Sequence, residues 1–195
     1  VKLSIWPYER AGPMLPPLHG KIPALGLYPQ NLPSILVGHA LDPQPDDCIY
    51  DMCGAPGGKT SHLAMRTQGR AVVVMSDRSR KKVVTAKATF DGLNHGNSIV
   101  PMHIDATKCV DRTCRNDSNQ SKTVQEILSS AKRNEKGGLL EVKTFPPESF
   151  DKILLDPPCS ALGLRPKLSV PQTRERDLLS FANYQKRFLR EAVDL

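Results

Sequence analysis

The feature that most constrains this chain is a glycine-rich stretch at residues 51–60, Asp-Met-Cys-Gly-Ala-Pro-Gly-Gly-Lys-Thr, which directly follows a short apolar run. Residues 48–50 predict a buried strand, and residues 61–65 predict the helix that comes after the turn. The first turn of such a helix presents free backbone N–H groups and the positive end of the helix dipole. This strand, turn and helix therefore predict a site for a small anionic or zwitterionic molecule.

The spacing inside the turn narrows the kind of ligand. Gly54, Gly57 and Gly58 carry no side chain where backbone N–H groups would approach a ligand, and Pro56 stiffens the turn. A phosphate-binding P-loop requires a glycine, four further residues and then Gly-Lys-Ser/Thr, and its first position falls here on Cys53. The dinucleotide pattern Gly-x-Gly-x-x-Gly is absent as well. A nucleoside triphosphatase and a turn without a ligand both stay open as alternatives.

Acidic residues follow further apolar runs. The runs at residues 70–76, 98–104 and 151–155 lead into Asp77, Asp105 and Asp156. Because parallel strands bring their carboxyl ends to one edge of a sheet, we expect these acids to meet the glycine-rich turn there. An acid at the tip of the second strand is placed to accept hydrogen bonds from ribose hydroxyls. These features predict an α/β fold with a doubly wound, mostly parallel sheet.

Taken in order, these motifs resemble those of the Sun/Nop-type RNA (cytosine-5) methyltransferases. The matching stretches are residues 30–34, 53–60, 77–79, 105–107, 156–160 and 159–166. The resemblance covers residues 28–195, and its first and last stretches are most similar to the branch that joins this domain to a PUA RNA-binding domain and modifies tRNA. It implies a Rossmann-like S-adenosylmethionine-dependent methyltransferase fold. It also implies methyl transfer to carbon 5 of a cytosine in RNA, with tRNA as the favoured substrate.

The resemblance assigns roles to individual residues. The methionine end of S-adenosylmethionine would be surrounded by Cys53, Gly54, Ala55, Pro56, Gly57, Gly58 and Lys59. Asp77 would hold the ribose, and Lys82 would either reach the same ribose or lie solvated on its helix. Asp105 would lie beside the adenine. Asp156 would lie near the reacting methyl group and the cytosine, paired with Lys59 in the active site.

The chemistry requires a thiolate, because carbon 5 of cytosine is a poor nucleophile until a thiolate adds to carbon 6. The resemblance implies two cysteines: one in a Thr-Cys motif on the fifth strand attacks, and one in Pro-Pro-Cys assists product release. Cys159 matches the second. No Thr-Cys in the family's context follows it before Leu195, and we interpret Thr113-Cys114, in a polar stretch before the fourth strand, as coincidental. Cys159 as the nucleophile is an alternative, by analogy with the Pro-Cys motif of DNA cytosine methyltransferases.

The two ends of the sequence lead to predictions about organisation. Residues 173–195 show apolar residues at helical spacing, and such a helix should cross toward a fifth strand. We therefore expect a truncated chain, with a partial catalytic domain at 28–195 that lacks the C-terminal part of the sheet. Residues 1–27 would be a proline-rich lead-in or the tail of an upstream RNA-binding domain. A non-catalytic cofactor- or RNA-binding fragment is then the alternative function.

Residues 111–149 form a polar insertion, for which we predict a long solvated loop with a short helix at 124–131. Its position beside the active edge of the sheet leaves a role in RNA contact open.

Composition limits the partners. The net charge of +7 favours a polyanionic partner such as RNA. Five cysteines without a Cys-x-x-Cys pair predict neither a disulfide framework nor a zinc site, so we expect a reducing intracellular compartment, whether cytoplasm, nucleus or organelle. His62 and His103 have no second metal-type residue at a usable spacing, so no metal is expected. No apolar segment reaches transmembrane length, and we expect no membrane partner.

Overall fold

A computed structural model describes residues 28, 30–93, 95, 97–113, 122–134, 138–161 and 173–195. Its elements, in chain order, are α1 Leu32–Leu41, β1 Cys48–Asp51, α2 Gly58–Arg66, β2 Val72–Asp77, α3 Arg80–Gly92, β3 Ile99–His103, a 3-10 helix Ala106–Lys108, α4 Val124–Ser130, β4 Lys152–Leu154 and α5 Glu175–Asp194. The predicted lead-in at 1–27, Cys114 and residues 162–166 lie outside the described residues.

The four strands form one parallel sheet in the order β3-β2-β1-β4. β1 is central, and its last residue, Asp51, pairs with Met75 of β2 on one side and with Leu154 of β4 on the other. All four residues of β1 are buried, as expected for a parallel strand covered on both faces. The chain moves outward from β1 to β3 and then returns to the other side of β1. This reversal between β1 and β4 is a topological switch point, where open α/β sheets bind ligands.

Successive residues of β1 face opposite sides of the sheet, and helices cover both sides. Ile49 lies in one core with Leu63 of α2 and Phe90 of α3. The next residue, Tyr50, lies in a second core with Phe145 and with α5. The predicted α/β fold with helices on both faces of a parallel sheet is therefore confirmed.

Local sequence signals explain several helix ends. Thr123 and Glu126 form a reciprocal capping box at the start of α4. α1 ends at Leu41; the residue that caps it, Asp42, lies in the left-handed region with φ 48°, and Pro43 follows. The predicted C-terminal helix is α5, which buries Phe188 and Glu191. Within the described ranges, no helix is both long and apolar enough to cross a membrane.

The predicted solvated loop at 111–149 is wrong for much of the segment that the structure describes. Val124, Leu139, Val142 and Phe145 are buried, and Phe145 forms an isolated parallel bridge with Val110. The predicted short helix is present as α4. Polar residues separate the buried apolar residues, so the segment shows no apolar run in the sequence, although it completes the core on the Tyr50 side of the sheet.

Candidate active site

The glycine-rich turn connects β1 to α2, and two of its backbone N–H groups already donate hydrogen bonds within the protein. The N–H of Gly54 donates to the carbonyl oxygen of Ser76 at 2.9 Å, and the N–H of Gly57 donates to the carbonyl oxygen of Gly54 at 2.7 Å. α2 begins at Gly58, earlier than the sequence predicted, and no described side chain caps its first turn. The N–H groups available to a ligand are therefore those of the helix start, at Gly58 and Lys59, rather than those of Gly54 and Gly57.

At two glycine positions of the turn, a larger residue would clash with its neighbours. A Cβ atom added to Gly54 would lie 2.8 Å from the Asp51 carboxyl group. At Gly57 it would lie 2.6 Å from the ring of Phe90, and the φ of +107° is itself unfavourable for any other residue. The turn is thus closely packed against β1 and α3 from below.

A cleft with two adjoining chambers lies at the switch point. The first, called here the acidic chamber, has a volume of about 340 Å³ and is lined by Met52, Cys53, Ala55, Asp77, Arg78, Lys82, Asp105, Ala106, Asp156, Pro157, Pro158, Cys159, Tyr184 and Phe188. The second, the glycine chamber, has a volume of about 230 Å³ and is lined by Tyr28, Gln30, Asn31, Ser34, Asp51, Cys53, Gly54, Ala55, Pro56, Gly58, Lys59 and Asp156. Cys53, Ala55 and Asp156 line both chambers. The acidic chamber alone has a volume typical of a small-molecule site, roughly 300–1,000 Å³.

A lysine and an aspartate meet at the border of the two chambers. The ammonium group of Lys59 donates a hydrogen bond to Asp156 Oδ2 at 2.7 Å. The side chains are 25% and 58% exposed, so this ion pair stands in contact with solvent. The chain brings its partners together from α2 and from the loop after β4, across 97 residues of sequence. A charged pair at this place can contact a ligand in either chamber.

Asp51 lies in the wall of the glycine chamber and is only 1% exposed. Its Oδ2 accepts a hydrogen bond from Thr60 Oγ1 at 2.7 Å, whereas its Oδ1 is buried without a hydrogen-bond partner. Burial raises the pKa of Asp51 to about 7, against the lowering effects of the Thr60 hydroxyl and the Lys59 ammonium. Gln30 Nε2 is a second buried polar atom without a partner in the same chamber. An unpaired acceptor and an unpaired donor together suit a zwitterionic ligand.

The acids of the acidic chamber are oriented by short local hydrogen bonds. Asp77 Oδ1 accepts from the N–H of Ser79 at 2.7 Å, at the end of β2. Asp105 Oδ1 accepts from the hydroxyl and the N–H of Thr107 at 2.7 and 3.2 Å. Burial alone would raise the pKa of Asp105, but these bonds and the nearby Arg78 guanidinium hold it below its usual value. Asp105 is therefore ionised at neutral pH and offers an acceptor to a ligand.

The described cysteines are all free, and they differ in environment. Burial raises the pKa values of Cys48, Cys53 and Cys109 to about 12, so these three remain thiols at neutral pH. Cys159 is the exposed member of the described set, and its Sγ accepts a hydrogen bond from the Ala161 N–H at 3.4 Å. Within the described residues, no group of three or more His, Cys, Asp or Glu side chains could hold a metal ion.

The structure brings the predicted site residues together. Every residue predicted for cofactor binding or catalysis lines one of the two chambers, except Gly57. Sequence reasoning missed several lining residues, notably Asp51, Gln30, Tyr184 and Phe188. Asp51 is the first residue of the glycine-rich motif, and its place in the motif could have identified it as a site residue. Tyr184 and Phe188 come from α5, and nothing in their local sequence places them beside β1.

A sequence profile described as 16S rRNA methyltransferase RsmB/F matches residues 38–195. The chain belongs to this family. It is 35% identical to the tRNA (cytosine(72)-C(5))-methyltransferase NSUN6 of Mus musculus, covering 87% of the chain and 31% of the relative. It is 32% identical to the rRNA (cytosine-C(5))-methyltransferase NOP2C of Arabidopsis thaliana, covering 93% of the chain and 40% of the relative.

The fold agrees with solved structures of relatives. The crystal structure of NSun6 from Pyrococcus horikoshii with SFG superposes with a TM-score of 0.59 at 31% identity, covering 86% of the chain and 34% of that protein. The chain thus spans about a third of the length of these three relatives. Family membership confirms the resemblance on which the sequence-based prediction rested, and it disfavours the nucleoside triphosphatase alternative.

Proposed function

We propose that this chain forms the S-adenosylmethionine-binding part of an RNA (cytosine-5) methyltransferase. The observation that carries the proposal is the convergence of the glycine-rich turn, Asp77, Asp105 and the Lys59–Asp156 pair on one cleft at the switch point of the sheet. The family assignment and the activities named for the similar proteins support it.

The donor set of the cleft fits S-adenosylmethionine. In the glycine chamber, the unpaired Asp51 Oδ1 suits an ammonium group, while Gln30 Nε2 and the uncapped start of α2 suit a carboxylate. In the acidic chamber, Asp77 and Asp105 offer acceptors for ribose hydroxyls and for the adenine amino group, and Lys82 lies on the same wall. When bound there, the cofactor supplies an electrophilic methyl group.

We assign the catalytic roles to residues that lie at or near the border between the two chambers. Asp156 faces both chambers and is held by Lys59, so this pair would contact the cytosine while the cofactor fills the cleft. Cys159 is an exposed thiol on the same loop, and we assign it to product release, as the family pattern implies. The attacking thiolate of a Thr-Cys motif is not among the described residues, and Cys159 acting as the nucleophile is the competing assignment.

RNA is the proposed polyanionic substrate, and tRNA is favoured because the tRNA-modifying relative shares 35% identity with the chain. We also propose a reducing compartment, which keeps the described cysteines free.

The test is transfer of labelled methyl from S-adenosylmethionine to RNA by the protein at its natural full length. Transcripts of tRNA and of rRNA fragments serve as separate substrates, and 5-methylcytosine is identified by mass spectrometry. We expect label on tRNA, lost in Asp156→Asn and retained in Asp91→Asn, a change to an exposed acid that pairs with Lys87 outside the cleft. Label on rRNA alone would reassign the substrate, and full activity of Asp156→Asn would remove the role given to that residue.

A further inference from the structure

The loop that carries Asp156 and Cys159 has few hydrogen bonds of its own. Its two middle residues, Pro157 and Pro158, have no N–H group and cannot donate to neighbouring strands. The backbone pairing of β4 ends with the Leu154 carbonyl oxygen, which accepts from the N–H of Met52 at 3.1 Å. Among the described residues, no backbone–backbone hydrogen bond reaches positions 155–161. Leu155 packs against the Tyr50 core, and the hydrogen bonds that hold the described part of the loop beyond it come from side chains of other elements.

Two side chains do so from opposite sides. Lys59 of α2 donates to the Asp156 carboxylate at 2.7 Å. Gln185 of α5 donates from Nε2 to the carbonyl oxygen of Pro158 at 2.9 Å. The bond to Pro158 lies one residue before Cys159 and two residues after Asp156. It fixes the backbone between the two groups that the proposed reaction uses.

The part of α5 that carries Gln185 is fixed to the body of the domain by buried residues. Glu191, six residues further along α5, is buried and accepts hydrogen bonds from the N–H of Val110 and from Arg112, both at 2.8 Å. Phe188 is 4% exposed and lies in the Tyr50 core. The helix is thus fixed to the body of the domain close to Gln185. The hydrogen bond from Gln185 therefore ties the loop to a part of the structure that does not itself move easily.

The loop also holds an unfavourable backbone conformation. Ala161 has a φ of +57°, a left-handed conformation that costs a non-glycine residue about 1–2 kcal/mol. In this conformation its N–H points to Cys159 Sγ at 3.4 Å. Such a conformation persists only where surrounding contacts determine it. Among the described residues, Gln185 supplies a hydrogen bond to Pro158, the residue next to Cys159.

We infer that Gln185 is a positioning residue, which holds the Asp156–Cys159 loop through the Pro158 carbonyl oxygen; as a role in catalysis, this rests on the proposed function. Without the bond, the loop keeps its tie through Lys59 and loses the one beside Cys159. The Cys159 thiol should then occupy its place in the cleft for a smaller fraction of the time, while S-adenosylmethionine, which is held largely by the glycine-rich turn and Asp77, should bind as before.

The experiment compares Gln185→Leu with Gln185→Lys in the full-length protein. Leucine removes the donor, whereas lysine keeps N–H donors able to reach the carbonyl oxygen. Gln125→Leu is the matched control, because Gln125 is an exposed glutamine of α4 that lines neither chamber. Two quantities are measured: kcat and KM for methyl transfer, and the rate at which iodoacetamide alkylates Cys159, followed peptide by peptide by mass spectrometry.

We expect Gln185→Leu to lower kcat by about tenfold, as loss of one hydrogen bond permits, with KM for S-adenosylmethionine within about twofold of the original. Alkylation of Cys159 should become about three- to tenfold faster, since the loop opens more often. Gln185→Lys should bring both kcat and the alkylation rate of Cys159 most of the way back to the values of the original protein. Rates like those of Gln125→Leu would overturn the inference, as would a loss of kcat that lysine does not restore.

The alkylation rate separates this inference from the proposed function. If the unchanged protein transfers no methyl group to RNA, the proposed function fails, while faster alkylation in Gln185→Leu still supports the positioning role. If methyl transfer is present and Cys159 alkylation does not respond to Gln185→Leu, the proposed function stands and the positioning role fails. Should Gln185→Leu not fold, Gln185→Glu, which has the same shape without the donor, takes its place with the same expected results.

Discussion

Replacing Asp51 with asparagine should make the protein more stable at alkaline pH and a weaker binder of S-adenosylmethionine. The carboxyl group is 1% exposed, and burial raises its pKa from 3.8 to about 7. At about 1.36 kcal/mol per pH unit, this difference corresponds to roughly 4 kcal/mol against the ionised form in the folded protein. Asparagine keeps an oxygen for the Thr60 hydroxyl and carries no charge, so it avoids this cost.

The sign of the pH dependence follows from the proton balance. Below about pH 4 the carboxyl group is protonated in both the folded and the unfolded protein, and it contributes no penalty. Between pH 4 and 7 the unfolded chain releases the proton and the folded protein keeps it, so stability falls as pH rises. Between pH 5 and 8 the free energy of unfolding should fall by roughly 3 kcal/mol because of Asp51, and this slope should vanish in Asp51→Asn.

Thermal unfolding measures the effect. At pH 8 the melting temperature of Asp51→Asn should exceed that of the original protein by roughly 8–16 °C, and at pH 4.5 the difference should shrink to roughly 2–4 °C. Asp91→Asn, which removes an exposed acid of α3, is the control and should shift neither value in this way. A variant that is less stable than the original at pH 8 would refute the reasoning from burial.

The pH dependence of ligand binding tests whether Asp51 Oδ1 contacts the ammonium group of S-adenosylmethionine. If Asp51 Oδ1 accepts the ammonium group, Asp51 must be ionised in the complex, and the affinity for S-adenosylmethionine should rise about tenfold between pH 6 and 8. The rise should be absent in Asp51→Asn. Equal pH dependence in both proteins would show that Asp51 does not contact the charged end of the ligand.

Three further experiments test the geometry of the cleft and of its loops. Lys59→Met and Asp156→Asn should each lower methyl transfer by about 100-fold and together by little more, because the two residues act as a pair; additive losses in the double-mutant cycle would contradict this. Ala161→Gly should stabilise the protein by up to about 1 kcal/mol in denaturant unfolding, since φ is +57°, whereas Ala88→Gly on the exposed side of α3 should destabilise it by a similar amount. Gly57→Ala should cost at least about 2 kcal/mol, because φ is +107° and the new Cβ atom would meet Phe90; an unchanged melting temperature would show that the turn can relax.

Local signals in the sequence predicted the strands and the acids at their ends. The runs before Asp77 and Asp156 are continuous and apolar, as buried parallel strands require, and the glycine-rich turn marks the first crossover. A parallel sheet with all its crossovers on the same hand then leaves little choice about where these acids lie. The acids at the strand ends could therefore be placed at one edge of the sheet from the sequence, whereas the pairing of Lys59 with Asp156 rested on the family resemblance.

What the sequence could not predict depends on contacts between distant segments. Phe145 follows two polar residues and precedes two prolines in the chain, and it is buried because it pairs with Val110 and meets the Tyr50 ring edge-on. Tyr184 and Gln185 reach the cleft because α5 returns across the sheet, and helical spacing alone does not give that direction. The burial of Asp51 depends on how the turn folds back over the end of β1, where a Cβ atom added to Gly54 would lie 2.8 Å from the Asp51 carboxyl group.

The most direct measurement is a calorimetric titration of the protein with S-adenosylmethionine at pH 8, beside Asp77→Ala and the control Asp91→Ala. We predict one saturable site, with affinity at least about tenfold weaker in Asp77→Ala and unchanged in Asp91→Ala. Absence of saturable binding, or equal affinity in Asp77→Ala, would contradict the assignment of the cleft to this cofactor.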